Sequence, residues 1–258
     1  MATSTINTKQ HGAPPSTDVY HRVQQTLASQ NTGVTKLNAT LVRDQTRLSG
    51  LGQLQSALAA FQAKAAGLAG SGKPPAAAPD AAQTGKNVRA FVAAYNELKQ
   101  KLLALQSGEL KGDVALGQVS RQLAQLLKTG GDGVSVKALA KAGVTQDAGG
   151  QLQVDDKQLA AALAADAGAV AKLLSNGGKG MADQLAARAG AFTADNSVIR
   201  REAATLDKEI TTINGKRALL SKALTAQGNA LAALYSQQAQ TGGASATGGA
   251  ASAFDFLA

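Results

Sequence analysis

The chain has 258 residues, contains no cysteine and no tryptophan, and carries a formal net charge of +9. The lack of cysteine excludes disulfides, thiolate metal sites and a cysteine nucleophile. Aromatic residues make up 3% of the chain and the apolar fraction is 44%, carried mostly by alanine and leucine, which predicts long helices rather than a large globular core. No run of about 18 apolar residues occurs, so no membrane span is expected.

The positive charge is scattered along the chain, and most of the excess lies in its first half. No basic cluster with interleaved aromatic residues occurs, so solvated helix faces are favoured over a nucleic-acid interface. The two histidines, His11 and His21, have only Asp18 as a further potential ligand close by, which does not predict a metal site. The first residues lack the basic and then apolar pattern of a cleaved signal peptide.

The N-terminal part of the sequence predicts a polar arm followed by one long helix. Residues 1–18 are polar and predict a disordered arm, whereas residues 19–69 place apolar side chains at alternating steps of three and four, the period of a coiled-coil seam. An extra step of three beside Gly50 and Gly52 predicts a bend or break. The seam positions are Val34, Leu37, Leu41, Asp44, Leu48, Leu51, Leu54, Leu58, Phe61, Ala65 and Leu68. Those expected to carry coil packing or oligomerisation are Leu37, Leu41, Leu48, Leu51 and Leu58.

Residues 70–87 are rich in proline and alanine and predict a flexible linker, which leads to a small head domain over residues 88–177. The pattern in the predicted head is helix, loop, helix, short hairpin and helix. Asp113 and Asp155 stand where helix N-caps are expected, and Ala148-Gly149-Gly150 supplies the turn of the hairpin.

Residues 178–240 carry the most regular heptad pattern and predict a second long coil helix. Its seam positions are Ile199, Ala203, Leu206, Ile210, Ile213, Arg217, Leu220, Leu224, Gln227, Leu231 and Leu234. The two polar positions, Arg217 and Gln227, either fix the register or oligomeric state or are tolerated near an exposed end. Residues 241–258 predict a flexible tail, and its apolar tip, Phe254–Leu257, is either a docking segment or an ordinary terminus.

The predicted fold is mainly α. Neither long helix can bury its apolar stripe alone, so the two are expected to pair antiparallel, with each other or with neighbouring subunits. The expected architecture is an elongated antiparallel coiled-coil stalk built from both chain ends, together with a small helical head that contains a short β-hairpin.

Four blocks of the predicted head occur in an informative order. They are Phe91-Val92-Ala93-Ala94-Tyr95-Asn96, Gly108-Glu109-Leu110-Lys111-Gly112-Asp113, Gly143-Val144 and Gly150-Gln151-Leu152-Gln153-Val154-Asp155. This order resembles the C-terminal half of the flagellar filament cap protein family, also called hook-associated protein 2. The positions that carry the resemblance are Phe91, Val92, Tyr95, Asn96, Gly112, Asp113, Gly143, Leu152 and Asp155. Family members insert β-rich outer domains where this chain has only residues 70–87, so the chain resembles a short form without them.

The resemblance implies a structural protein of the bacterial flagellum and not an enzyme. It implies a homo-oligomeric ring at the filament tip that promotes flagellin assembly, with flagellin, hook–filament junction proteins and an export chaperone as partners. It also implies a secreted, extracellular protein that is exported without a cleaved signal peptide.

No catalytic, cofactor or metal site is predicted, because the carboxylates of the predicted head stand at helix starts and turns rather than as a converging pair. Two alternatives remain open. One is a divergent paralogue that acts as a secreted coiled-coil or junction protein, and the other is a basic DNA-coating protein, which would bind DNA in a strongly salt-dependent way.

Overall fold

The computed structural model describes residues 15–68, 80–129, 134 and 136–241. Within these residues the chain forms seven helices and one two-stranded antiparallel hairpin, which confirms the mainly α class with a short β-hairpin. In chain order the elements are α1 (Pro15–Leu68), α2 (Ala81–Ser107), α3 (Val114–Thr129), α4 (Val136–Lys141), β1 (Val144–Gln146), β2 (Leu152–Val154), α5 (Asp156–Leu174), α6 (Met181–Thr193) and α7 (Val198–Thr241).

The chain divides into two compact units. The central unit is Thr40–Thr211, and the terminal unit groups Met1–Ala39 with Thr212–Ala258. Of the terminal unit, the structure describes residues 15–39 and 212–241. Most of the predicted arm, most of the predicted linker and all but the first residue of the predicted tail, including its Phe254–Leu257 tip, lie outside the described residues.

Two helices begin earlier than the sequence pattern predicts. α1 begins at Pro15, inside the predicted arm, and proline is well suited to the first turn of a helix. α2 begins at Ala81, inside the predicted linker, because Asp80 caps it: the Asp80 carboxylate accepts a hydrogen bond from the Ala82 N–H at 3.1 Å.

Gly50, one of the two glycines at the irregular point of the first seam, has a packing role. α1 runs through Gly50 and Gly52 without a break, so the predicted break in the helix is wrong. A Cβ atom added to Gly50 would lie 2.8 Å from Cγ of Leu110, which is fully buried. Gly50 therefore allows the Leu110 side chain to approach the α1 backbone.

The predicted coil helix over residues 178–240 is two helices in the structure, α6 and α7. The backbone is extended at Ala194, and the Ser197 hydroxyl then accepts a hydrogen bond from the Arg200 N–H at 3.2 Å, which caps α7. The prediction of one helix is wrong because two amphipathic patterns follow each other closely. The sequence Asp195-Asn196-Ser197 before an apolar residue was the available helix-start signal.

One hydrophobic core fills the central unit, and all seven helices and both strands contribute to it. The second half of α1 and the apolar face of α6 bury their side chains there, so the compact unit is wider than the predicted head of residues 88–177. The core is also larger than the low aromatic content predicts, because leucine and alanine fill it. Its largest fully buried side chains are Phe91, Leu51, Leu54, Leu58, Leu110, Leu116, Leu127, Leu139, Leu152, Leu159, Met181 and Leu185.

The hairpin forms where the turn chemistry predicts it. β1 and β2 pair antiparallel with Val144 opposite Val154 and Gln146 opposite Leu152. Gly150 adopts a positive φ of 81°, which glycine tolerates without strain. Among the described residues, no helix is both long enough and apolar enough to cross a membrane.

Candidate functional site

The four sequence blocks of the predicted head meet around α2. Phe91, Val92 and Tyr95 are buried on one face of this helix, and Leu152 of β2 is buried in the same hydrophobic core. Burial raises the pKa of Tyr95 to about 12, so its phenol stays neutral at physiological pH. These residues serve packing and carry no charge that could take part in acid–base chemistry.

Asn96 ties α2 to the hairpin through both atoms of its amide group. Its Nδ2 donates a hydrogen bond to the Leu152 carbonyl at 2.8 Å, and its Oδ1 accepts one from the Leu152 N–H at 2.8 Å. Only an amide side chain offers a donor and an acceptor in this geometry. Asn96 thus satisfies both backbone polar groups of one strand residue, which explains its place in the first sequence block.

Gly143 and Asp155 join the hairpin to α5. Gly143 has a φ of +79°, and a Cβ atom at this position would lie 2.7 Å from the backbone nitrogen of Leu159. The Asp155 N–H donates to the Gly143 carbonyl at 2.8 Å. The Asp155 carboxylate then caps α5 by accepting hydrogen bonds from the N–H groups of Lys157 and Gln158, both at 3.0 Å. The structure therefore confirms the predicted N-cap at Asp155.

Asp113 caps α3 and also binds the long N-terminal helix. Gly112 turns the chain with a φ of +75° before Asp113, whose Oδ1 accepts a hydrogen bond from the Leu116 N–H at 3.0 Å. The predicted N-cap at Asp113 is therefore confirmed as well. Its second oxygen, Oδ2, accepts a hydrogen bond from Nη2 of Arg47 on α1 at 3.1 Å.

Arg47 connects three elements of the central unit. The same Nη2 atom that binds Asp113 also donates to Oε1 of Glu202 on α7 at 2.5 Å. The Asp113 side chain is 1% exposed, Glu202 is 20% exposed and Arg47 is 35% exposed. We call the four residues Asp44, Arg47, Asp113 and Glu202 the polar joint.

The pKa values of the two carboxyl groups that bind Arg47 are shifted in opposite directions. Burial raises the pKa of Glu202, and the hydrogen bond and negative charge of Asp113 raise it further, against the attraction of Arg47. Burial alone would also raise the pKa of Asp113, but hydrogen bonds with the Leu116 N–H, Glu202 and Arg47 bring it below its ordinary value. Burial would lower the pKa of Arg47, yet its bond to Asp113 and the nearby acids raise it, so Arg47 stays charged.

Asp44 is a buried acid in the predicted α1 seam. It is 1% exposed, its Oδ1 accepts a hydrogen bond from Nε of Arg43 at 3.1 Å, and its Oδ2 has no hydrogen-bond partner within the described part of the chain. A buried carboxylate oxygen without a partner costs stability, because it loses its hydration without gaining a replacement.

Replacing Asp44 with leucine is therefore expected to stabilise the central unit. Leucine restores the apolar heptad position, and removing a poorly compensated buried acid contributes about 1 to 2 kcal/mol. Urea unfolding followed by circular dichroism measures the change. The control is Asp207→Leu at an exposed position of α7, which should change stability by less than about 0.5 kcal/mol. Loss of stability in Asp44→Leu would show that the carboxylate has a stabilising partner.

The predicted coil positions differ widely in burial. The buried ones are Leu41, Leu51, Leu58, Leu206 and Ile213. The half-buried ones are Leu37, Leu48, Ile210, Leu220, Leu224 and Leu231. Leu234 is 58% exposed, and Arg217 and Gln227 are exposed, with Nη1 of Arg217 donating to Oδ1 of Asn214 at 3.5 Å. Their predicted roles in oligomer packing and register stay predictions.

A groove of about 520 Å³ lies between α1 and α2. Small side chains line its α1 wall: Ser49, Gly52, Ser56, Ala57 and Ala60. Its titratable residues are Lys64, Glu97 and Lys101, and Lys64 pairs with Glu97 at 2.5 Å. The hydrogen bond and charge of Lys64 lower the pKa of Glu97, so this carboxylate is ionised and bound to Lys64. The acid and the base of this pair therefore bind each other, and the described residues contain no group of three or more metal-binding side chains.

Arg47 and Glu202 were not predicted as functional residues from the sequence. Each is a charged residue next to a seam position, as many solvated charges on coil helices are. No local pattern distinguishes the two from such charges, since their link depends on contacts between distant parts of the chain.

The chain is similar to two flagellar proteins over part of its length. The chain is 28% identical over 152 residues to the B-type flagellar hook-associated protein 2 of Pseudomonas aeruginosa, and the alignment covers 54% of this chain and 32% of that protein. The chain therefore spans about a third of this relative. The crystal structure of the flagellar cap protein FliD D1-D2-D3 domains from Escherichia coli matches with 27% identity and a TM-score of 0.45, over 49% of this chain and 37% of that chain.

A family model described as the flagellar hook-associated protein 2 C-terminus matches residues 76–241. The matched range contains all four sequence blocks. With them it contains the two hydrogen bonds between Asn96 and Leu152, which we call the Asn96 bridge, and the caps at Asp113 and Asp155. It also contains Glu202, whereas Arg47 and Asp44 lie before it. The match covers well over half of the sequence, so the resemblance is confirmed and the chain belongs to the family of the flagellar hook-associated protein 2 C-terminus.

Proposed function

We propose that this protein is a structural component of the bacterial flagellum, a filament cap that oligomerises at the filament tip and promotes the assembly of flagellin there. The observation that carries the proposal is the family match over residues 76–241. The proposed partners are further copies of the chain, flagellin, the hook–filament junction proteins and an export chaperone. The proposed location is extracellular, reached without a cleaved signal peptide.

The terminal unit supports a role in assembly. Leu220, Leu224 and Leu231 lie at steps of four and seven on α7 and are only half-buried. An apolar stripe that one chain covers incompletely can gain further burial against neighbouring helices. Copies of the chain around a common axis would supply such neighbours.

The central unit supports a structural function rather than catalysis. Several of its acids cap helices, as Asp80, Asp113 and Asp155 do, and others pair with basic side chains, as Glu97 and Glu202 do. A hydrolase or transferase needs acid and base groups that converge on space for a substrate. In the groove between α1 and α2, Lys64 and Glu97 are paired with each other rather than directed at the open space.

Deletion of the gene from the source bacterium tests the proposal. Loss of the cap should release flagellin monomers into the medium and shorten or abolish filaments, and the intact gene supplied on a plasmid should reverse both effects. Tagged protein should label filament tips. Normal filaments with no released flagellin in the deletion strain would contradict the proposed function.

A divergent paralogue with a junction role is the second candidate. It is favoured by the short α1–α2 connection, residues 69–80. The same deletion strain separates the two candidates. Tagged junction protein should label the hook end of the filament rather than the tip. A filament cap gene from another bacterium, supplied to the deletion strain, should then restore no filaments, because the strain would lack a junction protein and not a cap.

Substitution on the half-buried stripe should impair assembly. Leu220→Asp places a charge on this stripe and is expected to weaken each helix contact by about 1 to 2 kcal/mol. Sedimentation of purified protein should show a smaller assembly, and the variant should restore filaments poorly. Leu219→Asp is the control, because Leu219 is 69% exposed and adjacent in sequence. Equal behaviour of the two variants would exclude the stripe as a packing surface.

A further inference from the structure

The polar joint places two acids on one donor atom. Nη2 of Arg47 binds Oδ2 of Asp113 at 3.1 Å and Oε1 of Glu202 at 2.5 Å, so the two carboxyl groups lie close together on one side of the guanidinium. They come from different elements, the start of α3 and the first turns of α7, and α1 supplies the arginine. One positive charge therefore faces two acids in a partly buried site.

The other charged groups around the polar joint do not balance its excess of carboxyl groups over basic groups. On α1, Asp44 adds a further carboxyl group beside Arg47, and the 65% exposed Arg43 binds Asp44 rather than Glu202. On α7, Arg200 has Asp195 as its nearest acid, at 3.8 Å. Neighbouring carboxyl groups that share one cation tend to retain a proton between them.

The geometry decides which carboxyl group holds that proton. Asp113 accepts the Leu116 N–H at the N-terminus of α3, where the helix dipole also favours a negative charge. Glu202 accepts from Arg47 and, within the described part of the chain, from no helix-end N–H group. Asp113 is therefore the anion, and Glu202 is the group that gains and loses the proton.

We propose that the polar joint is a proton-operated latch that holds α1, α3 and α7 together in the central unit. With Glu202 protonated, its hydroxyl group can donate to Asp113 while Arg47 binds both acids, and the three elements are held in a closed triangle of hydrogen bonds. When Glu202 releases its proton to solvent, two adjacent carboxylates repel each other across a single guanidinium, and the first turn of α3 opens more often. This inference rests on the contacts of the joint and is independent of the cap function.

The direction of the pH effect follows from the raised pKa of Glu202. Protonated Glu202 binds its proton more tightly in the folded chain than in the unfolded chain, so its contribution to stability is complete below the ordinary pKa of 4.5. That contribution is lost as the pH rises through the folded-state value. The lowered pKa of Asp113 acts in the opposite direction and only below its ordinary value of 3.8, so it does not mask the effect.

Hydrogen exchange of the full chain tests the latch. Protection of the Leu116 and Gly117 amides, corrected for the intrinsic pH dependence of exchange, is compared between pH 4.5 and pH 8. In the wild type this protection is expected to fall between pH 4.5 and pH 8, about tenfold for each unit by which the pKa of Glu202 exceeds its ordinary value.

The test variant is Glu202→Gln, which keeps an oxygen for Arg47 and a donor for Asp113. Protection of the two amides in this variant should stay constant with pH within about twofold. The control is Glu209→Gln, at an exposed position of α7, which should follow the wild type. Wild-type protection that is constant or rises with pH, or a Glu202→Gln variant that follows the wild type, would overturn the latch.

A titration provides a second and independent readout. The side-chain carboxyl carbon of Glu202, followed by NMR in the full chain, should titrate with a midpoint above 4.5. Arg47→Met removes the attraction that opposes the shift and should move the midpoint higher still. A Glu202 midpoint at or below 4.5 in the wild type, or a downward shift in Arg47→Met, would show that Glu202 is not the proton holder.

Discussion

Gly143→Ala is expected to destabilise the central unit by about 4 kcal/mol, which combines backbone strain with a backbone clash. The φ of +79° at Gly143 is unfavourable for a residue with a Cβ atom, and that atom would lie 2.7 Å from the nitrogen of Leu159 and 2.8 Å from the oxygen of Asp155. Both neighbours are backbone atoms at the start of α5, so neither can move without disturbing the cap. Urea unfolding of the purified chain measures the loss.

The matched control for this prediction is Gly112→Ala. Gly112 has a similar φ of +75°, but none of the described residues that would be its neighbours lies within 4 Å of an added Cβ atom. Only the conformational strain remains, which costs about 1 to 2 kcal/mol. The difference between the two variants therefore isolates the clash with α5. Equal losses would mean that the backbone around Gly143 relaxes freely and that the contact does not constrain the hairpin.

Asn96→Ala is expected to cost about 3 kcal/mol, because it leaves the Leu152 N–H and carbonyl without their partners. Both groups belong to a strand residue that is 2% exposed, so water cannot easily replace the amide. Asn96→Asp should be comparably harmful, since a carboxylate cannot donate to the Leu152 carbonyl. Urea unfolding measures the cost, and hydrogen exchange should show faster exchange of the Leu152 amide.

Asn87→Ala is the control for the bridge, since Asn87 lies on the same helix. Its Oδ1 accepts a hydrogen bond from the exposed Gln83 side chain at 2.9 Å, where water can take over. The expected change is below about 0.5 kcal/mol. If Asn96→Ala were as mild as Asn87→Ala, the two 2.8 Å bonds to Leu152 would contribute little to the hairpin.

The features that local chemistry determines could be predicted from the sequence. Asp113 and Asp155 cap helices because a carboxylate next to a helix start finds unpaired N–H groups within three residues. The hairpin follows from glycine at Gly150, where a positive φ is required. The order of the four blocks around these positions was sufficient to indicate the family.

Contacts between distant residues could not be predicted in the same way. Arg47 meets Glu202 across 155 positions of the sequence, and Asn96 meets Leu152 across 56. Apolar periodicity identifies the face of a helix that packs, but not which charged neighbour of that face finds a partner. For the same reason, Asp44 could be placed in a seam while its unpaired oxygen could not be foreseen.

The Asn96 bridge also affects whether the hairpin can pair with an extended segment of another molecule. A two-stranded hairpin has no interior strand, so each strand offers free backbone groups to which an extended segment of another molecule could add. The side-chain amide of Asn96 occupies the Leu152 groups that such a segment would need. An added segment could therefore pair with the edge of β2 at Leu152 only by displacing a helix side chain.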